Sequence, residues 1–138
     1  MKYLVILTVF FIVFQCKKTP GTAFEKVRQA SCSGNYSSFI KLINRDKLKF
    51  NYYKYLIQKG EEKDPEILEK KYKDYMKILK DDVKRGTESS LCNIIKYEKN
   101  RVSKDLYIIK AESKDLKSFD LVFVKFGNSW FLTTLPFP

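Results

Sequence analysis

The stretch FDLVFVKFGNSWFLTTL, residues 119–135, decides the fold class. It consists of two runs rich in aromatic and β-branched residues, and the turn-forming pair Gly127-Asn128 separates them, which predicts a β-hairpin. The first run, 119–126, has apolar side chains on both faces. This pattern is expected for a central strand that helices cover on one side and that is able to line a cavity on the other. Because the connection is short, the two strands should be antiparallel neighbours.

Two segments upstream of this hairpin have the same β-branched and aromatic character, and turn-like residues separate them. The strands predicted in this way are 92–98, 105–112, 119–126 and 129–135, with turns at 99–100, 113–117 and 127–128. Together they form a curved antiparallel sheet of about four strands. Within it, Trp130 should pair with the 119–126 strand near Phe126 or Val124.

The N-terminal half predicts helices. Asp64-Pro65 is a cap followed by proline at the first helical position, and Gly86 is a stop signal, so a helix ~31 Å long is expected between them. Its apolar stripe is Leu68, Tyr72, Tyr75, Met76, Leu79 and Val83. Shorter helices are predicted over 23–31, after a Thr22/Glu25 capping box, and over 36–45. Residues 47–59 fit both a helix and a strand. The predicted fold class is therefore α+β, with the long helix packed on the sheet through Tyr72, Tyr75, Met76 and Leu79.

Composition supports one packed domain and limits its chemistry. The chain has 138 residues, of which 44% are apolar and 15% aromatic, and it contains no histidine. The lack of histidine excludes Ser-His-Asp and Cys-His catalysis and zinc sites with histidine ligands. The five glycines form neither a GxGxxG nor a GxxxxGK loop. No metal, no cofactor and no enzymatic activity are therefore expected.

The first sixteen residues carry an export signal. Met1-Lys2 is a positively charged start, and residues 3–14, YLVILTVFFIVF, form an uncharged apolar run that ends at Gln15-Cys16. The run is short for a membrane-spanning helix, which needs ~20 residues, but it suits the hydrophobic region of a secretory signal. A lone cysteine that closes such a run resembles the lipobox of bacterial lipoproteins. The resemblance implies a diacylglycerol thioether on Cys16, cleavage before it and, usually, acylation of the new amino terminus.

Within this resemblance, Val13 is acceptable at its position, whereas Phe14 and Gln15 stand where small residues are usual. An uncleaved anchor and an ordinary secreted protein are the alternatives. The expected organisation is a signal peptide over 1–15, a lipidated tether over 16–21 and one α+β domain over 22–138. The expected location is the bacterial cell envelope, on the membrane through the lipid anchor.

The other two cysteines remain once Cys16 is assigned to the lipid. Outside the cytosol, Cys32 and Cys92 can form a disulfide. The alternative is that both are unpaired small core residues. Without histidine, two cysteines do not make a zinc site.

The order of elements, helices first and then an antiparallel meander, resembles the cone-shaped nuclear-transport-factor-like (cystatin-like) superfamily, and in particular its small bacterial lipoproteins without assigned activity. TAFEKVRQASCSGNYSSFIKLI looks like their first two helices, and FDLVFVKFGNSWFLTTL looks like their terminal hairpin with its tryptophan strand. The resemblance covers most of residues 22–135. Catalytic members place His, Asp or Tyr inside the cone, and none of their active-site patterns matches this chain.

Several residues are candidates for a functional site. Residues on the long helix and on the sheet are candidates for lining a pocket: Tyr72, Tyr75, Phe123 and Trp130. Acidic residues before the long helix, within it and on the strands have structural or solvated roles as the simpler interpretation: Glu61, Glu62, Asp64, Asp81, Asp82, Glu112 and Asp120. For Glu112 and Asp120, the alternative is that they point into the cone.

The charge balance bears on partners. The formal net charge is +11, with 23 Lys and only four Arg. A solvated lysine-rich face is the simpler interpretation, and docking on anionic lipid headgroups or an acidic polysaccharide is the alternative. The scarcity of Arg and the export signal argue against nucleic acid. The sequence identifies no protein partner. It therefore favours a non-catalytic binding or interaction module, with a cone-cavity enzyme or small-ligand binder as the alternative.

Overall fold

The computed structural model describes residues 20–61, 63–114 and 117–137. The predicted signal segment and Cys16 lie outside these residues. Four helices precede four strands: α1 Pro20–Cys32, α2 Tyr36–Ile40, α3 Arg45–Gln58, α4 Pro65–Lys84, a 3₁₀ turn Gly86–Glu88, β1 Ile94–Ser103, β2 Leu106–Ser113, β3 Ser118–Phe126 and β4 Ser129–Thr134. The strands form one antiparallel sheet in the order β1-β2-β3-β4. The predicted α+β class is confirmed.

The long helix α4 begins and ends where its local signals place it. The Asp64 side chain accepts a hydrogen bond of 2.8 Å from the backbone N–H of Glu66, and Pro65 occupies the first turn. After the helix ends at Lys84, Gly86 adopts a φ of 65°, a conformation that glycine reaches without steric strain. These are the capping interactions that the sequence indicated.

Other helix boundaries differ from the prediction. α1 begins at Pro20, two residues before the predicted cap, so Thr22 lies in the first turn of the helix. α2 ends at Ile40 rather than at residue 45, because the next residues leave the helix to pair with β4: Asn44 N donates to Leu132 O at 3.0 Å, and Leu132 N donates to Leu42 O at 2.9 Å. The ambiguous segment 47–59 is almost entirely helical within α3, which buries one side chain per turn: Leu48, Tyr52 and Leu56.

The sheet register corrects two details of the prediction. β1 continues through residues 99–100, and the turn follows at 104–105. Trp130 faces Lys125, with Phe131 opposite Val124 and Ser129 opposite Phe126. Because Trp130 and Leu132 are two residues apart on β4, their side chains lie on the same face of the sheet, the face that packs towards the helices. There the indole ring meets Tyr107, with ring centroids 6.3 Å apart.

One face of the sheet and the helices enclose a continuous apolar core. Large side chains from both layers are fully buried in it, among them Phe24, Phe39, Leu48, Ile109, Phe123 and Leu132. α3 and α1 lie against β4, whereas the backbone neighbours of α4 are the other helices and the 3₁₀ turn. The aromatic side chains that were expected to join α4 to β3 therefore contact helix residues first: Tyr75 stacks on Tyr52 with ring centroids 4.9 Å apart. α3 is the helix that fills the space between α4 and β4.

Candidate functional surfaces

The predicted pocket residues separate into two groups. Tyr72 and Tyr75 belong to an aromatic cluster on α3 and α4, where both rings meet Tyr52, at 6.2 and 4.9 Å between centroids. Phe123 is fully buried on the helix-facing side of the sheet, and Trp130 is half-buried on the same side. Two concavities on the surface, each of about 450 Å³, are lined by other residues. The helix-facing side of the sheet is packed with side chains.

Tyr75 has an unusual polar environment within that cluster. Its side chain is 4% exposed, and its hydroxyl has no hydrogen-bond partner among the residues that the structure describes. Burial strongly raises the pKa of Tyr75, with smaller contributions from the neighbouring Tyr52 and Tyr72. A phenol in this state keeps its proton at physiological pH, so Tyr75 does not act as a base.

Lys49, Tyr53 and Glu69 form a polar contact between α3 and α4. The Glu69 carboxylate accepts hydrogen bonds from the ammonium of Lys49 and from the Tyr53 hydroxyl, each at 2.5 Å. The Lys49 ammonium also lies 5.5 Å from the centroid of the Tyr72 ring. The sequence does not reveal this contact, because residues on two different helices build it and no local pattern marks such a pair.

The protonation states of these three groups follow from their contacts. Hydrogen bonds from Lys49 and then from Tyr53 lower the pKa of Glu69, and the hydrogen bond to Glu69 raises the pKa of Lys49. Desolvation, followed by the hydrogen bond to Glu69, raises the pKa of Tyr53. Each shift favours the form already present at neutral pH. The contact therefore joins two helices and is a poor source of a catalytic acid or base.

An open depression of about 450 Å³ lies on β1, β2 and β3 near the end of the sheet that is remote from the turn at 104–105. It contains both strand carboxylates weighed from the sequence, Glu112 and Asp120. Oppositely charged residues alternate across the strands there: Lys96 faces Glu112, Lys110 faces Glu98, and Lys110 also faces Asp120. All three carboxylates are exposed. Such an exposed, charged environment differs from the dry pocket in which a carboxylic acid can act as a catalyst.

The opposite end of the sheet forms a second distinct surface, where two hairpin turns lie side by side. The backbone N–H of Lys125 donates to the Asp105 carbonyl at 2.9 Å and joins the β1–β2 turn to the β3–β4 hairpin. We define the tip surface as residues 99–105 and 125–128. It exposes two apolar side chains, Phe126 at 67% and Val102 at 56%, beside four cations.

The cysteines of the domain are paired. Cys32, at the end of α1, and Cys92, just before β1, form a disulfide with Cα atoms 4.8 Å apart. Next to it, the hydroxyl oxygens of Ser31 and Ser89 lie 2.6 Å apart and fully buried, which links the same two segments a second time.

Neither metal-binding groups nor membrane-crossing helices are found in the part of the chain that the structure describes. No three His, Cys, Asp or Glu side chains within residues 20–61, 63–114 and 117–137 are grouped so that they could hold a metal ion. Across the same residues, every helix is too short or too polar to cross a bilayer. No protein-family profile, curated protein or solved structure matches the chain.

Proposed function

We propose that this chain is a lipoprotein of the bacterial cell envelope, exported by residues 1–15, lipidated on Cys16 and carrying a non-catalytic binding module. The observation that carries the proposal is the apolar run 3–14 that ends at Cys16. The disulfide between Cys32 and Cys92 supports it, because that pair accounts for the two other cysteines of the chain.

The disulfide also supports export. Disulfides between structural cysteines persist in oxidising compartments such as the periplasm and the cell surface, and they are rare in the cytosol. A bond that closes a 60-residue separation would be lost from a cytosolic copy of the protein. The pairing of Cys32 with Cys92 thus supports both an oxidising compartment and the assignment of Cys16 to the lipid.

A binding role without catalysis is supported by how the domain uses its polar groups. The helix-facing side of the sheet is filled by the core, and Lys49, Tyr53 and Glu69 satisfy one another between two helices. Among the described residues, the outer face and the ends of the sheet are open to a partner. These surfaces suit contact with a large partner better than enclosure of a small substrate.

The intact mass of the full-length protein, expressed in a bacterium and extracted from its membranes, tests this proposal. Loss of residues 1–15 together with a diacylglycerol and acyl mass on Cys16 is expected. Cys16→Ala should remove the lipid mass and move the protein from the detergent phase to the aqueous phase. A Cys32→Ala/Cys92→Ala variant is the matched control and should keep the lipid.

An uncleaved chain would favour a signal anchor, and a mature protein that begins after another residue would favour simple secretion. Either result would refute lipidation.

The depression on β1–β3 favours a second candidate function, a small-ligand binder. Its lining combines Tyr97 with the carboxylates of Glu98, Glu112 and Asp120. Isothermal titration of the full-length protein with cationic small molecules, compared with a Glu112→Gln/Asp120→Asn variant, tests it. Saturable heat that the double substitution abolishes would establish this alternative.

A further inference from the structure

We propose that the tip surface rests on the anionic headgroups of the membrane that holds the Cys16 lipid, so that the domain is held in one orientation. This inference depends on the lipid anchor proposed above. It specifies which part of the domain touches the bilayer and states that this part prefers anionic lipids.

The direction of α1 places the proposed anchor at the same end of the domain as the tip surface. Three contacts show that α1 runs antiparallel to β1. At the end of the helix is the Cys32–Cys92 disulfide, and one turn earlier the Arg28 guanidinium lies 3.5 Å from Ile94 O. Near the start of the helix, the rings of Phe24 and Tyr97 lie 4.9 Å apart between centroids. Moving towards the start of α1 therefore means moving along β1 towards its turn at 104–105. The chain enters the domain on the side of the tip surface.

The connection to the lipid is short. Pro20 precedes Phe24 by four residues, ~6 Å along the helix, whereas Ser103 follows Tyr97 by six residues, ~20 Å along the strand. The tip surface therefore extends ~14 Å beyond Pro20 along this direction. The four residue steps from Cys16 to Pro20 span at most ~14 Å. Even if the connection is fully extended in this direction, Cys16 lies no farther out than the tip surface. The tip surface therefore reaches the plane in which the lipid is inserted.

The tip surface also has the chemistry of a membrane contact. The cations nearest the two turns are Arg101, Lys104 and Lys125, and the single carboxylate is Asp105. Lys99 lies farther along β1, with its ammonium 5.9 Å from the centroid of the Tyr97 ring. At the opposite end of the sheet, four lysines stand among three described carboxylates: Lys96, Lys110, Lys114 and Lys117 against Glu98, Glu112 and Asp120. Lysine and arginine near a surface of anionic lipid favour binding, and exposed Phe126 and Val102 can enter the boundary between headgroups and acyl chains.

A single tryptophan allows a direct test. Trp130 is the only one in the chain. In a Trp130→Phe background, Phe126→Trp places the fluorophore on the tip surface, and Ile95→Trp places it at the opposite end of β1, on a side chain that is 63% exposed. Each full-length variant is expressed with lipoprotein processing, checked by intact mass and reconstituted in vesicles of phosphatidylcholine and phosphatidylglycerol with acyl chains brominated near the headgroups.

Strong bromine quenching at position 126 and weak quenching at position 95 are expected. Replacing phosphatidylglycerol by phosphatidylcholine, or introducing Lys104→Gln, should lower the ratio of docked to free domain, by roughly fivefold for the single substitution. Lys114→Gln at the opposite end is the matched control and should leave the ratio unchanged. Equal quenching at both positions, or quenching that ignores lipid charge, in protein that carries the lipid mass would overturn this inference while anchoring stands. Protein without the lipid mass would overturn the proposed anchor and this inference with it.

Discussion

Replacing Cys32 and Cys92 by alanine should lower the free energy of unfolding by about 4 kcal/mol at 25 °C. The two cysteines are 60 residues apart in the sequence, and the chain-entropy relation for a closed loop of that size gives this magnitude. Small domains are stable by roughly 5–15 kcal/mol in total. The variant should therefore remain folded in dilute buffer but unfold at a much lower denaturant concentration.

The structure indicates that this loss arises mainly in the unfolded chain. In the folded domain, the buried hydroxyl pair of Ser31 and Ser89 still joins the end of α1 to the segment before β1 when the disulfide is absent. Opening the loop expands the unfolded state, which then exposes more surface. The dependence of the unfolding free energy on denaturant concentration should therefore become steeper.

Urea unfolding of the full-length protein in mild detergent, followed by far-UV circular dichroism, measures both quantities. Wild-type protein in excess reductant provides the control, because it loses the bond without losing the sulfur atoms. Two results would refute the reasoning. One is a change in unfolding free energy below about 1 kcal/mol, which would mean that the bond does not close this loop. The other is a loss of about 4 kcal/mol with an unchanged slope, which would place the effect in the folded state.

Three further predictions follow from single side chains. Tyr75→Phe should raise the free energy of unfolding by about 1 kcal/mol in urea titrations, because it removes a buried hydroxyl that has no partner among the described residues. With Glu69→Gln, the free energy of unfolding should fall less steeply as the pH is lowered. The lowered pKa of Glu69 stabilises the folded state above the unfolded pKa of ~4.3, and this contribution disappears as the pH falls through the folded pKa, so urea midpoints at neutral and acid pH measure the effect. Gly86→Ala should lower the thermal midpoint more than Gly60→Ala. Both glycines have positive φ, which costs alanine roughly 1–2 kcal/mol, but only a Cβ at position 86 meets the Cys32 carbonyl, at 3.3 Å.

Each of these predictions has a contrary outcome. Destabilisation by Tyr75→Phe would mean that the hydroxyl is hydrogen-bonded, for example to water. A Glu69→Gln variant that loses stability in acid as steeply as the wild type would show that the contact with Lys49 and Tyr53 does not carry the acid sensitivity. Equal midpoints for the two glycine variants would show that the backbone near the disulfide has room for a methyl group.

Local signals in the sequence predicted much of the architecture. Asp64-Pro65 and Gly86 marked the ends of α4, because caps and stop residues act within one helical turn. Runs of aromatic and β-branched residues on either side of Gly127-Asn128 located β3 and β4 to within a residue or two. The α+β class followed from these elements alone, since short connections between strands leave an antiparallel sheet as the natural arrangement.

What the sequence left open depends on contacts between distant residues. Residues 41–44 leave the helix because Ile43 bridges Leu132, a partner almost ninety positions away. β1 extends past the predicted turn at 99–100 because an edge strand can carry polar side chains on both faces and gives little apolar alternation to read. The register of Trp130 differs from the prediction by one residue, because Trp130 lies opposite Lys125 rather than Phe126 or Val124. For the same reason, neither the tip surface nor the Lys49–Glu69 contact could be predicted.

The pairing of residues 42–44 with β4 has a consequence for self-association. It covers the β4 edge at Leu132, where the backbone N–H of Asn44 donates to the Leu132 carbonyl and the Leu42 carbonyl accepts from the Leu132 N–H, whereas within the described residues β1 pairs with β2 alone. Unpaired edges are where sheets of different molecules join. With a single open edge, two copies that meet strand to strand through β1 form a closed two-fold pair and leave no free edge for a third. Association through β1 would therefore stop at a dimer, and Leu42 and Asn44 hinder further extension of the sheet at β4.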